Sequence, residues 1–279
     1  MTFLFSRAEA ATTIMSATDD AKSLVDDFAA RTSTPGVWPH INRADLAQGL
    51  RARIDGPDLI NQGQASLCGP ADFFRDLAID DPVTYARAAI ELYETGATNV
   101  GTQRIRPCHD LKIHLIPPHA NIDPADWILC ASLRDQDNWF FDYQSETDDF
   151  AGITMPHSMA NWFRQAGYTE IVNDTNIYAC KDLANARAAS GLVSRGYKVS
   201  LFINADMLSA DTQDNPSVTP DHWVGLTSSI SFTGIEADPA SKVNFEVYTW
   251  GQRQNVPASG SLSIKHFLWN YYGYVSCKH

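Results

Sequence analysis

Apolar residues recur at helical spacing through the first half of the chain, and the clearest strand patterns come in the second. After a Ser/Thr/Ala-rich start, a helix is expected from near Asp19-Asp20 with Leu24, Val25 and Phe28 on one face, ending at Thr34-Pro35-Gly36. Leu46, Leu50 and Ile54 step by four through a second helix, Arg43 to Ile54, and Asp55-Gly56-Pro57 breaks it. A third begins at Cys68, with Phe74, Leu77 and Ala78 in register. Asp81-Pro82 opens a fourth, which carries Ala86, Ala89, Ile90 and Tyr93 and closes at Gly96.

The middle of the chain is less regular. Met155-Pro156 to Gly167 predicts a helix burying Met159, Trp162 and Phe163, and Asp182 to Arg195 predicts another, capped by Gly196. Tyr197 to Ile203 is a strand, and the polar stretch from Asn204 to Pro220 is expected to be a mobile loop. Two long β-type segments follow, His222 to Gly234 and Val243 to Gly251, joined by a turn over Ile235 to Lys242. Leu262 to Val275 is aromatic-rich and is expected to form a strand pair. No internal repeat interrupts this order. Helices before strands predict an α+β fold.

Composition narrows the functional classes. The chain has 279 residues, 44% of them hydrophobic and 19% charged, enough to bury a sizeable globular core. The formal net charge of −12 argues against nucleic acid and anionic membranes, both of which require basic surface. No stretch approaches the length of a membrane span. Five widely spaced cysteines, at 68, 108, 130, 180 and 277, contain no Cys-x-x-Cys pair and suggest no disulfide framework. The first residues lack a basic signal-peptide start, so the chain is expected to be made in a reducing cytoplasm.

The candidate chemistry lies in Asn61-Gln62-Gly63-Gln64-Ala65-Ser66-Leu67-Cys68-Gly69-Pro70. A thiol attacking a carbonyl needs a lowered pKa, a donor for the developing oxyanion and a nearby base. A cysteine opening a helix gains the first from the dipole and the unpaired N–H groups. Gln62, six positions upstream, can supply the second beside the cysteine's own N–H. The base must be a distant histidine. His222, starting a strand after the helix-rich half, is the candidate.

This segment resembles the active-site string of papain-like cysteine peptidases, in which Asn-Gln-Gly leads through four residues to the nucleophile. The resemblance implies Gln62 as the oxyanion-hole glutamine, Cys68 as the nucleophile and Phe73 or Phe74 as the helix aromatic. Leu67 and Gly69-Pro70 depart from the plant and lysosomal pattern. Cys-Gly-Pro is instead similar to bacterial papain-like domains, including peptidases that trim secreted peptides and toxin or effector domains. Val243 to Gly251 resembles the family strand ending in Asn-Ser-Trp-Gly, with Trp250 and Gly251 matching. By straight alignment Tyr248 stands where the orienting asparagine would be. Asp238, Asn244 and Glu246 are other options for the third member, and a Cys-His dyad is chemically sufficient without one.

The implied protein is a papain-like cysteine hydrolase over residues 57–279, preceded by a helical segment over 1–56. The first choice of reaction is cleavage of peptide bonds in a protein substrate, with no cofactor and no metal. Glutamine deamidation and acyl transfer use the same machinery, and a non-catalytic binding module is the competing class. The effector resemblance implies export by a signal-peptide-independent route and an inhibitory immunity protein as partner. Other clusters are read structurally. His109, His114 and His119 cannot share one face of a strand, and Pro117-Pro118 breaks any helix, so they are not read as a zinc site. Glu146, Asp148 and Asp149 lack a calcium-ligand pattern, and Tyr271, Tyr272 and Tyr274 are expected to pack a sheet face.

Overall fold

The computed structural model describes residues 3–33, 35–138, 153–208, 219–235, 238 and 241–279. The first half is mainly helical: α1 (Phe3–Ala30), α2 (Arg43–Asp55), α3 (Cys68–Asp80) and α4 (Pro82–Thr95). A small antiparallel hairpin, β1 (Thr98–Val100) and β2 (Gln103–Ile105), precedes α5 (His109–Ile113), α6 (Pro124–Asn138) and α7 (Pro156–Ala166). Then come β3 (Thr169–Thr175), α8 (Leu183–Val193), β4 (Lys198–Ile203), β5 (His222–Leu226), β6 (Ser231–Thr233), β7 (Lys242–Thr249) and β8 (Gln252–Val256). β9 (Leu262–Ser263), α9 (Ile264–Trp269) and β10 (Tyr271–Lys278) complete the order.

Helix ends follow local chemistry. The Asn42 side chain accepts from the Ala44 and Asp45 amides to start α2, and the Asp81 side chain accepts from Thr84 N–H to start α4. Gly96 and Gly167 end α4 and α7 in the left-handed region. Met159, Trp162 and Phe163 are buried on α7, as their spacing predicts.

Among the described residues an eight-stranded antiparallel sheet runs β3-β10-β4-β5-β7-β6, with β8 and β9 both pairing β7. The expected long strand from His222 is two: residues 227–230 leave the sheet because Ser228 Oγ accepts from Glu246 N–H and Thr227 Oγ1 donates to the Glu246 carboxylate. The expected strand pair over Leu262 to Val275 is instead β9, the short helix α9 and the start of β10. Ser263 caps α9 by accepting from His266 N–H, a local signal that a short apolar run hides. The hydrophobic pattern marks no element at β1, β2, α5, α6 or β3. Residues 205–208 form a 3₁₀ turn, while 209–218 of the expected loop, and Glu146, Asp148 and Asp149, lie outside the described residues.

The sheet separates two apolar cores. On one face Phe202, Trp223, Tyr272 and Val275 join the helical cluster that includes Val25 and Phe28 of α1, Leu46 and Leu50 of α2, and Phe73 and Phe74 of α3. Gly56 therefore breaks the chain but not the core. On the other face Leu201, Ile203, Val224 and Val247 pack with Ala186 and Ala189 of α8 and Phe267 of α9. Tyr271 and Tyr274 face this second core and Tyr272 the first. A register shift between Tyr271 and Tyr274, with Gly273 in the left-handed region, makes that split.

Candidate functional site

Cys68 is the first residue of α3 and Gln62 sits on the loop that leads into it. That loop is pinned from several sides. Asn61 Oδ1 accepts from Gly63 N–H at 2.8 Å, closing an Asx turn, and Gln64 N–H donates to Ala120 O at 2.7 Å. Gly63 is left-handed, and a Cβ there would lie 2.0 Å from Ala120 O, so the close approach requires glycine. Behind it, Asn61 N–H donates at 3.0 Å to Asp126, whose carboxylate holds Arg53 by two contacts of 2.7 Å. Burial pushes Asp126 up to about 6, and the paired Arg53 keeps it ionised at neutral pH. The Gln62 carboxamide has no hydrogen-bond partner among the described residues, which leaves it available to a ligand.

Gln62, Cys68 and His222 all line one cavity of about 660 Å³, together with Asn61, Asn121, Asp221 and Trp250. His222 opens β5 and is buried. Its Nε2 lies 2.7 Å from Thr249 Oγ1, and the Trp250 ring stacks on the imidazole with centroids 5.0 Å apart and planes 21° from parallel. Trp250 and Gly251 form the two-residue turn between β7 and β8, both with positive φ. The turn holds the indole over the histidine.

Phe73 packs against Trp162 and Phe163 and supports α3 from the core. Tyr248 is not beside His222. Its hydroxyl donates to Ile60 O, and Arg75 lies over its ring, so it fastens β7 to the loop before Gln62. Asn244 pairs with Ser231 of β6 and is exposed, while Asp238 lies in the turn, its N–H donating to Ile235 O. Glu246 accepts from Thr227 and faces Arg253. Among the described residues, the contact to Nε2 is made by Thr249, a residue that sequence reading passed over. Its signal was strand parity: positions 247 and 249 share one face, opposite Tyr248.

Electrostatics depart from the expectation of a lowered thiol pKa. Burial pushes the Cys68 thiol up to about 11, outweighing the backbone N–H groups of Trp223 and Gly69 and the charge of Arg134, all of which favour thiolate. Asp72, one turn along α3, adds to the rise. It is fully buried, and burial followed by the charge of Asp76 pushes its own carboxyl up to about 7. Burial also pushes His222 down to about 4. At neutral pH the resting pair is therefore thiol and neutral imidazole.

No family model, curated protein or solved structure matches this chain. Its chemistry rests on its own geometry. Among the described residues no group of three His, Cys, Asp or Glu side chains could hold a metal ion, and no helix is long and apolar enough to cross a membrane.

Proposed function

We propose that the chain is a papain-like thiol hydrolase that cleaves peptide bonds in a protein target. The observation that carries this reading is the cavity that Gln62, Cys68 and His222 all line, with the imidazole held at Nε2 by Thr249 under Trp250. With Nε2 engaged, Nδ1 is the nitrogen left for the thiol proton. As Cys68 Sγ attacks the carbonyl carbon, its proton passes to His222, so the charged pair forms only during reaction. The Gln62 amide and the Cys68 backbone N–H, which has no intrahelical acceptor, hold the oxyanion. His222 then protonates the departing amine, leaving a thioester. It next takes a proton from water, whose attack releases the acid and restores the thiol. An acidic effector that meets an inhibitory partner remains the wider setting the resemblance suggests.

The test is the pH dependence of Cys68 alkylation by iodoacetamide, followed by mass spectrometry. A thiol held near 11 is alkylated about tenfold faster for each pH unit between 6 and 9, because the thiolate fraction rises in that proportion. A preformed ion pair would give a flat rate across this range. Hydrolytic activity should keep its acid limb near pH 4, where His222 takes up a proton and ceases to act as a base. A folded protein with full hydrolytic activity after complete Cys68 alkylation would refute the proposal.

A further inference from the structure

Several carboxylates in the molecule are ion-paired: Asp58 with Arg75 and Arg253, Asp76 with Arg75, Asp80 with Lys198, and Glu94 with Arg31 and Arg43. Asp221, next to the base and on the cavity wall, makes no ion pair among the described residues. Its position is nonetheless fixed. One oxygen accepts from Ala205 N–H at 2.8 Å and the other from Asn204 Nδ2 at 3.3 Å. These neutral donors orient the carboxylate without cancelling its charge. The residue is exposed at the cavity mouth; partial burial of the carboxylate, then the charge of nearby Asp206, raises its pKa against the opposing Ala205 N–H.

The rest of the wall agrees in sign. Among the described residues no lysine or arginine lines the cavity, whereas Gln62, Gln64 and Asn121 offer amide oxygens that can accept from an ammonium or guanidinium group. Trp250 stacks one face of its indole on His222 and is still 41% exposed, which leaves aromatic surface open at the cavity mouth. Arg134 acts on the thiol electrostatically but does not line the cavity.

We propose that this cavity selects a positively charged group, a lysine or arginine side chain of the target protein, bound between the Asp221 carboxylate and the open indole of Trp250 beside Cys68. This deepens the thiol-hydrolase reading and rests on it. A neutral glutamine side chain, the ligand of a deamidase, can donate an amide N–H to this carboxylate but gains no charge–charge attraction from it.

Three methanethiosulfonate reagents of similar size test the sign of the cavity: one cationic (trimethylammonium), one anionic (sulfonate) and one neutral. Each transfers its thioalkyl group to the Cys68 thiolate, forming a disulfide and releasing methanesulfinate. Rates at Cys68 are resolved by mass spectrometry and divided by the same reagent's rate with 2-mercaptoethanol. The cationic reagent should exceed the anionic one on the order of tenfold at low salt, and the preference should shrink at 0.5 M salt. Asp221→Asn, which retains the acceptor for Ala205 N–H, should lower the cationic-to-anionic preference severalfold, with each charged rate taken relative to the neutral reagent on the same variant. Equal normalised rates, or an anionic preference, would overturn the inference and leave the thiol-hydrolase reading standing, as would a preference that Asp221→Asn leaves intact. Failure of the neutral reagent to reach Cys68 in folded protein would remove both.

Discussion

The two sides of the cavity are held in different ways. On the helical side, the loop before Cys68 is tied by a buried ion pair, an Asx turn, a close backbone approach at Gly63 and the Tyr248 hydroxyl. On the sheet side, His222 stands at a strand end with one hydroxyl at Nε2 and an indole on its face. The difference follows from the tasks proposed for them. An oxyanion site acts by preorganisation, so its donors cannot shift as charge develops. A base that must receive a proton and return it needs orientation, yet a hydroxyl partner leaves it less basic than a carboxylate would.

The largest break in this comparison comes at the reacting atoms. Cys68→Ala and His222→Ala should each reduce hydrolysis of a protein substrate by about 10⁴-fold or more, as for members of a unit that act together. Assays of each purified variant, with circular dichroism to confirm folding, check this. A His222→Ala protein that remains active would assign the base elsewhere. Gln62→Ala should cost less, about 10²–10³-fold in kcat, because one of two oxyanion donors survives.

The tie behind the loop should show first as stability. Asp126→Leu leaves buried Arg53 with only the partly exposed Asp123, at 3.2 Å, and should destabilise the fold by about 3 kcal/mol in denaturant titration. The corresponding change on the sheet side is milder. Thr249→Val should lower kcat by about tenfold while Thr249→Ser restores most of it, with Tm nearly constant, if the hydroxyl only orients the imidazole. Tyr248→Phe sharpens the contrast. It should cost about 1 kcal/mol of stability by unpairing Ile60 O and leave the pH profile unchanged. If Tyr248→Phe shifts the acid limb and Thr249→Val does not, the two roles are exchanged.

Legibility in the sequence tracked the range of the interaction. Asp81-Pro82, Gly96, Gly167 and Asp182 mark helix ends because each acts on atoms within a turn of itself, and those boundaries were expected within a residue or two. The Leu262–Val275 region misled because the six residues Ile264–Trp269, four of them apolar, suit either a strand or a short helix, and Ser263 decides between them. At the site, Gln62, Cys68 and His222 could be named because a motif carries their types and order. Thr249 could not, since its role depends on β5 and β7 being neighbours, which register determines. The raised Cys68 thiol was also hidden. Helix position is written in the sequence, but the burial that outweighs it comes with β5 packing against α3, and the charge of Asp72 on α3 itself adds to the rise.

The place of β10 has a consequence for synthesis. Residues 271–278 lie between β3 and β4, whose nearest strands in sequence end and begin long before them. A ribosome therefore releases the thiol, the amide and the imidazole well before the strand that joins their scaffold. Until that strand docks, β3 is separate from the rest of the sheet and β4 has a bare edge, both open to pairing with another nascent chain. A chain cut within residues 271–278 would aggregate rather than persist as a weakened fold. The same order of events leaves the sheet that carries His222 unfinished until residues 271–278 have emerged.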